Sequence, residues 1–142
     1  MAGSRVTDIV NAAVDALQGD ALLTAALGSA KNYTNVPATT QPPYNLVLGG
    51  DEAPWAVEFG DDVGGRTIDL SVECYTKYRG STQVDGIASH VMDVLLDQGT
   101  WNSVDGYQAV DFLRNAALPP QTLTDDGEPW YVRRVTVRVT VG

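Results

Sequence analysis

The segment Arg66-Thr-Ile-Asp-Leu-Ser-Val-Glu-Cys-Tyr-Thr76 decides the fold class of this chain. Its polar residues alternate with four apolar ones, Ile68, Leu70, Val72 and Cys74. This period of two predicts a strand with one face on a core and the other in water. Residues 130–141 repeat the pattern, because valines at every second position from 135 alternate with arginines and threonines. Half-buried strands of this kind are typical of antiparallel sheets that are covered on one side.

Three helices are predicted around these strands. Residues 4–17 and 82–97 carry apolar side chains at helical spacing. A shorter helix is expected between Asp20, which is a good N-cap, and Gly28, which favours a helix end. Two short helices in series, separated by Gly19, fit the N-terminal pattern better than one long helix.

Two further strands and their connections complete the pattern. Residues 44–48 predict a strand that ends at Gly49-Gly50, and residues 107–118 predict one that ends at Pro119-Pro120. Residues 31–43 are expected to form an extended connector, and residues 51–65 a long loop or an irregular hairpin. Trp130 and Val132 lie out of phase with Val135, which predicts a bulge near Arg133.

The order of these segments predicts an α+β fold in one domain over residues 1–142. The expected architecture is an antiparallel sheet of about four strands with the helices packed on one face. The chain is long enough to bury one real core.

The net charge excludes several classes of function. The chain has 18 acidic and 9 basic residues, a formal charge of −9. A free-standing nucleic-acid binder needs the opposite sign to neutralise phosphates, and so does a protein that binds anionic membranes. No apolar run approaches the length of a membrane span, and one cysteine cannot form an intrachain disulfide. We expect synthesis in the cytoplasm.

The residues that chemistry requires are scarce. The single histidine, His90, lies beside the apolar stripe of a predicted helix, and Cys74 lies in the apolar phase of a strand. The acidic pairs Asp61-Asp62 and Asp125-Asp126 adjoin glycines and lack the spacing of a calcium loop. No nucleotide-binding, metalloprotease or nucleophile motif occurs. We therefore expect no catalytic residue, metal or cofactor, and a hydrolase with two carboxylates remains the enzymatic alternative.

Charged side chains on the polar strand faces are more informative. Asp69 and Glu73 project from one strand, and Arg134 and Arg138 project from another. If the two strands are neighbours, these residues form cross-strand pairs. The same face is also a candidate contact with another subunit, because arginine is enriched at interfaces.

Large aromatic side chains stand in segments that are predicted to be loops. They either pack beneath those loops or dock onto a partner. The residues concerned are Trp55, Phe59 and Trp101.

The order and character of the segments resemble a known family. A short helix over Asp20–Gly28 precedes a connector that ends in Pro42-Pro43-Tyr44, and the strand Arg66–Tyr75 follows. A helix with Ala88-Ser-His-Val-Met-Asp93 and a C-terminal strand of alternating arginine and valine complete the likeness. This series resembles the tail-terminator, or tail-to-head joining, proteins of long-tailed bacteriophages.

The resemblance implies a structural protein that forms a hexameric ring in the neck of the virion, assembled in the host cytoplasm. Such a ring caps the tail tube, stops its polymerisation and meets the head connector, and DNA passes through its centre without specific binding. Six copies at −9 each give −54. An acidic lumen would repel phosphates, and Glu58, Asp61 and Asp62 are expected to line it. The alternatives are another neck or minor tail protein, such as a head-completion subunit, and a small non-viral binding module.

Overall fold

The computed structural model describes residues 6–37, 40–54, 66–77, 82–122 and 129–142. The helices are α1 (Val6–Gly19), α2 (Ala21–Leu27) and α3 (Thr82–Leu96), with a 3₁₀ turn over Gln98–Trp101. The strands are β1 (Asn32–Tyr33), β2 (Tyr44–Pro54), β3 (Arg66–Thr76), β4 (Tyr107–Thr122) and β5 (Pro129–Val141). All three predicted helices are present, close to their expected bounds.

The strands form one sheet with the order β1-β2-β3-β5-β4. Every pairing is antiparallel except that of β1 with β2, which is parallel. The predicted α+β class is confirmed, but the described residues contain five strands and not four. The additional strand is β1, whose two residues lie in the predicted connector. Its Asn32 accepts a buried hydrogen bond of 2.8 Å from the side-chain amide of Asn45 in β2.

Two strands extend beyond the ends that the sequence predicts. β2 continues through Gly49-Gly50, where its register with β3 shifts before Glu52. Gly49 lies beneath α1, and a Cβ atom there would overlap the side chain of Val6. β4 continues through Pro119-Pro120 with another register shift. β4 is at the edge of the sheet, and an edge strand tolerates prolines because one side of it needs no hydrogen-bond donors.

The prediction of a bulge near Arg133 is wrong. β5 pairs with β3 in unbroken register from Tyr131 to Val141, and the irregularity lies opposite, in β4 between Leu118 and Gln121. Val132 and Val135 are both buried although they point to opposite faces of the sheet. The change of phase therefore reflects burial on both faces at this end of β5.

The hydrophobic core lies between the helices and one face of the sheet. α1 and α3 pack on this face, which we call the core face. Asp20 caps the start of α2, because its carboxylate accepts a 2.8 Å hydrogen bond from the backbone N–H of Leu23. Gly28, which adopts φ +81°, caps the end of this helix. β3 and β5 supply alternate side chains to the core: Ile68, Leu70, Val72, Cys74, Val135, Val137, Val139 and Val141.

Candidate functional site: the open face of the sheet

The opposite face of the sheet, which we call the open face, carries polar pairs along its two central strands. The register of β3 with β5 places three pairs of residues directly opposite each other: Asp69 with Arg138, Ser71 with Thr136, and Glu73 with Arg134. Because side chains two positions apart share a face, the three pairs form one continuous row. The predicted cross-strand pairing of the four charged residues is confirmed.

Each charged pair is held by a guanidinium group. Arg138 donates to both carboxylate oxygens of Asp69, at 2.9 and 3.3 Å. Arg134 donates from Nε to Glu73 at 2.9 Å, and its Nη2 also contacts that carboxylate. Between them the hydroxyls of Ser71 and Thr136 lie 3.0 Å apart. Forked contacts of this kind hold the arginine side chains in one orientation.

The two charged pairs differ in burial. The Glu73 side chain is only 8 % exposed, whereas that of Asp69 is 25 % exposed. Glu73 also accepts a 2.8 Å hydrogen bond from the hydroxyl of Tyr75. A carboxylate that is removed from water needs such donors to offset its lost hydration. Glu73 is therefore the centre of a hydrogen-bonded network, and Asp69 belongs to a simple surface pair.

An aromatic cluster closes the Glu73 end of the row. The rings of Tyr44 and Tyr75 are stacked at 5.0 Å, and Trp130 meets them edge-on at 6.1 and 6.3 Å. Tyr33 extends the cluster from β1. Burial, followed by the hydrogen bond to Glu73, raises the pKa of Tyr75, so its hydroxyl remains a donor.

Sequence reasoning missed this cluster because its members come from four separate strands. The signal that could have revealed it is that Trp130 and Val132, both large and apolar, stand at strand positions that alternate toward the open face.

A shallow depression of about 200 Å³ lies in the charged part of the open face. Its floor and walls come from four strands, and the residues are Gly50, Asp69, Ser71, Arg114, Arg134 and Thr136. Gly50 approaches the β3 backbone closely, since a Cβ atom there would come within 2.9 Å of the Asp69 carbonyl oxygen. Arg114 is exposed, and within the part of the chain described here it forms no ion pair with an acidic side chain. Sequence reasoning also missed Arg114, although it is the only basic residue in β4.

Trp101 contributes to the packing of the subunit. Its side chain is fully buried, and its indole N–H donates a 2.9 Å hydrogen bond to the Leu95 carbonyl oxygen. Of the two interpretations that the sequence left open, the structure supports packing beneath a loop. The other predicted contact residues, Trp55 and Phe59, and the predicted lumen residues Glu58, Asp61 and Asp62 lie outside the described residues.

The two side chains with the greatest chemical reactivity, Cys74 and His90, also lie where packing accounts for them. Cys74 is completely buried on the core face, and this burial raises the pKa of its thiol, which disfavours the nucleophilic thiolate. His90 is partly buried on α3, as predicted. Among the described residues, no group of three histidine, cysteine or acidic side chains could hold a metal ion. No described helix is both long and apolar enough to span a membrane.

Comparisons with known proteins agree with this architecture. The structure is similar to a chain from the virion of a native gene transfer agent particle, with a TM-score of 0.75 and 22 % sequence identity over 98 % of both chains. At this identity the likeness concerns the fold. No curated protein matches the chain. Residues 11–142, which are nearly the whole sequence, match the family of tail completion protein gp17. The resemblance noted in the sequence is confirmed, and the chain belongs to the tail completion protein gp17 family of bacteriophage tail structural proteins.

Proposed function

We propose that this protein forms a hexameric ring on the end of the tail tube, where it stops tail polymerisation and joins the tail to the head connector. The observation that carries the proposal is the family match over residues 11–142, because it covers the described fold from the middle of α1 to the end of β5. A protein that completes a tail must contact both the tube that it ends and the structure that follows. The proposed partners are therefore the tail tube protein, the head-completion or connector protein, and further copies of the chain.

The open face supplies a surface suited to such contacts. Asp69, Glu73, Arg134 and Arg138 are held in defined orientations by their pairing, so that a partner would meet preformed polar groups. Preorganised side chains lose little conformational entropy on binding. Trp55 and Phe59 are proposed as additional anchors for the tail tube or the connector, since aromatic residues dominate protein interfaces.

The charge of the chain fits a ring through which DNA moves. Each copy carries −9, and six copies carry −54. Negative charge around a channel repels phosphates and prevents them from binding to the wall. Glu58, Asp61 and Asp62 are proposed to line the channel, which would allow DNA to pass without specific binding. The ring would occupy the neck of the virion after assembly in the host cytoplasm.

Light scattering during size-exclusion chromatography tests ring formation. A hexamer of 15.1 kDa subunits has a mass of about 91 kDa, six times the chain mass. Electron microscopy of the same sample should show rings, and particles made without the protein should carry tails of uncontrolled length that lack heads. A protein that remains monomeric at high concentration, also in the presence of purified tail tubes, would contradict the proposal. Binding to connectors but not to tail tubes would favour a head-completion role instead.

A further inference from the structure

The charged side chains of the subunit's helix layer are all acidic. We define this layer as α1, α2, α3, the 3₁₀ turn and the turn that leads to Gly106, together residues 6–28 and 82–106. These segments contain seven aspartates, at positions 8, 15, 20, 85, 93, 97 and 105, and no lysine or arginine. Asp85 forms an ion pair with an arginine of the sheet, at 3.1 Å from Arg133. The layer also exposes 68 % of Leu22, the most exposed large apolar side chain among the described residues.

Three of these aspartates border one depression of about 290 Å³ in the helix layer. Asp20 and Asp97 each accept a hydrogen bond from a nearby backbone N–H as helix caps. Asp93 is exposed on α3 and caps no helix. It is therefore the member whose charge can change without loss of a cap.

The open face, unlike the helix layer, is balanced in charge. Its acidic residues Asp69, Glu73 and Asp111 are matched in number by three arginines, Arg114, Arg134 and Arg138. Arg134 and Arg138 have carboxylate partners within the subunit. The guanidinium of Arg114 is thus the positive group that this face can offer to another molecule, and it borders the depression on that face.

Ring symmetry restricts how copies of this chain can meet. A closed ring needs a head-to-tail interface between two different surfaces, whereas like surfaces that pair by a two-fold axis close as a dimer. Two helix layers that face each other would bring seven aspartates against seven, which is repulsive. Pairing through the sheet edges is also disfavoured. β4 has three register shifts and two prolines along its length, features that block pairing with a further strand, and β1 has only two residues.

We infer that each subunit sets its helix layer against the open face of the next copy, with Arg114 directed at the acidic depression around Asp93. This inference rests on the proposed ring and specifies which surfaces form it. Oppositely charged groups steer the two surfaces together and select their orientation. Leu22 would become buried in the same contact, which accounts for its exposure in the isolated subunit.

Charge exchange between the two surfaces tests the inference. The variants are Arg114→Glu and Asp93→Lys, each alone, combined in one chain, and mixed as two separate proteins. Ring formation is followed by light scattering over a concentration series. Each single variant should raise the concentration needed for assembly by about tenfold or more. The combined variant and the equimolar mixture should both return close to the wild-type value, because every contact in them again joins opposite charges.

The mixture is the most specific arm, since alternating variants restore all contacts only in a ring whose interface joins two different surfaces. Lys31→Glu is the control, because it changes the net charge by the same amount as Arg114→Glu, and Lys31 lies between α2 and β1, outside the segments that form the helix layer. It should assemble like the wild type. Thermal unfolding of each variant verifies that the subunit is folded, and Arg114→Ala and Asp93→Asn replace any reversal that is not.

The outcomes separate the inference from the proposal beneath it. A wild-type protein that never assembles overturns both. Wild-type rings together with unchanged assembly of Arg114→Glu or Asp93→Lys overturn the inference alone and leave the ring in place. Weakened single variants that neither the combination nor the mixture rescues also overturn it, because the two surfaces would then contact something other than each other.

Discussion

The two faces of strands β3 and β5 arise from one alternating pattern but reach stability in different ways. On the core face, the valines of β5 and the apolar residues of β3 are fully buried beneath the helices. On the open face, the pairs of Glu73 with Arg134 and of Asp69 with Arg138 remain partly in water. The core face is complete within one subunit. The charged part of the open face is ordered by its own polar pairs, and we propose it as the part that meets a partner.

The largest effect is expected at the core, for Trp101→Ala. This change removes a fully buried side chain and leaves the Leu95 carbonyl oxygen without its 2.9 Å donor. We expect a loss of about 3–5 kcal/mol in the free energy of unfolding, typical of aromatic truncation in a core. Urea denaturation of the subunit at a concentration below assembly measures it.

Trp101→Phe is the matched control, since it keeps most of the buried ring and removes only the N–H donor. It should cost clearly less than the alanine variant. If both variants unfold at the wild-type urea concentration, Trp101 does not hold the 3₁₀ turn against the core.

The second prediction tests whether the Glu73 end of the open face stabilises the subunit itself. Glu73→Gln removes the charge that two donor groups share, those of Arg134 and Tyr75. Loss of a charged hydrogen-bond acceptor that is mostly buried should cost about 2 kcal/mol of unfolding free energy. The equivalent change in the more exposed pair, Asp69→Asn, should cost less. Equal losses in chemical denaturation would contradict the difference that burial predicts.

Much of this architecture is predictable from local patterns. The alternation in residues 66–76 and from Val135 onward specifies both strands and their apolar faces, because the period of two is imposed by the backbone. Asp69 and Glu73 are four residues apart, and so are Arg134 and Arg138. Once the two strands are adjacent, this equal spacing is sufficient for both cross-strand pairs to form. Glycines and caps likewise specify the helix ends at Gly28 and Asp20.

What local patterns could not predict depends on contacts between distant segments. β1 pairs with β2 beside the hydrogen bond between Asn32 and Asn45, and a strand of two residues has no period that the sequence could reveal. β2 continues past Gly49, where the absence of a side chain lets α1 lie close to the strand. The aromatic cluster forms when β2, β3 and β5 align Tyr44, Tyr75 and Trp130. Each of these features is a property of the tertiary structure.

A smaller loss of stability is expected at alkaline pH, at the Glu73 end of the open face. Burial and the bond to Glu73 raise the pKa of Tyr75 above its ordinary value of 10.0. The folded protein therefore holds this proton more tightly than the unfolded chain does. The resulting stabilisation is complete below pH 10 and declines as the pH rises toward the folded-state pKa. The contribution of Tyr75 to the slope should stay below about 1.4 kcal/mol per pH unit, because one group can release at most one proton.

Tyr75→Phe isolates this contribution. Its unfolding free energy should fall less steeply above pH 10 than that of the wild type, in denaturation curves recorded at several pH values. The raised pKa of the Cys74 thiol adds a slope that both proteins share. Parallel pH profiles for the two proteins would mean that Tyr75 titrates alike in the folded and unfolded chains.

The smallest effect on folding is expected for Arg138→Gln, at the exposed end of the same row. Its guanidinium is 46 % exposed as a side chain, and surface ion pairs contribute little to stability. The unfolding midpoint of the isolated subunit should therefore stay within experimental error of the wild type. Ring assembly, measured by light scattering, should weaken, because removal of this guanidinium leaves Asp69 as an unpaired negative charge facing the acidic neighbour. A loss of stability similar to that of Glu73→Gln would instead mean that the whole open face belongs to the subunit's own structure. The reason to assign its charged end to a partner would then disappear.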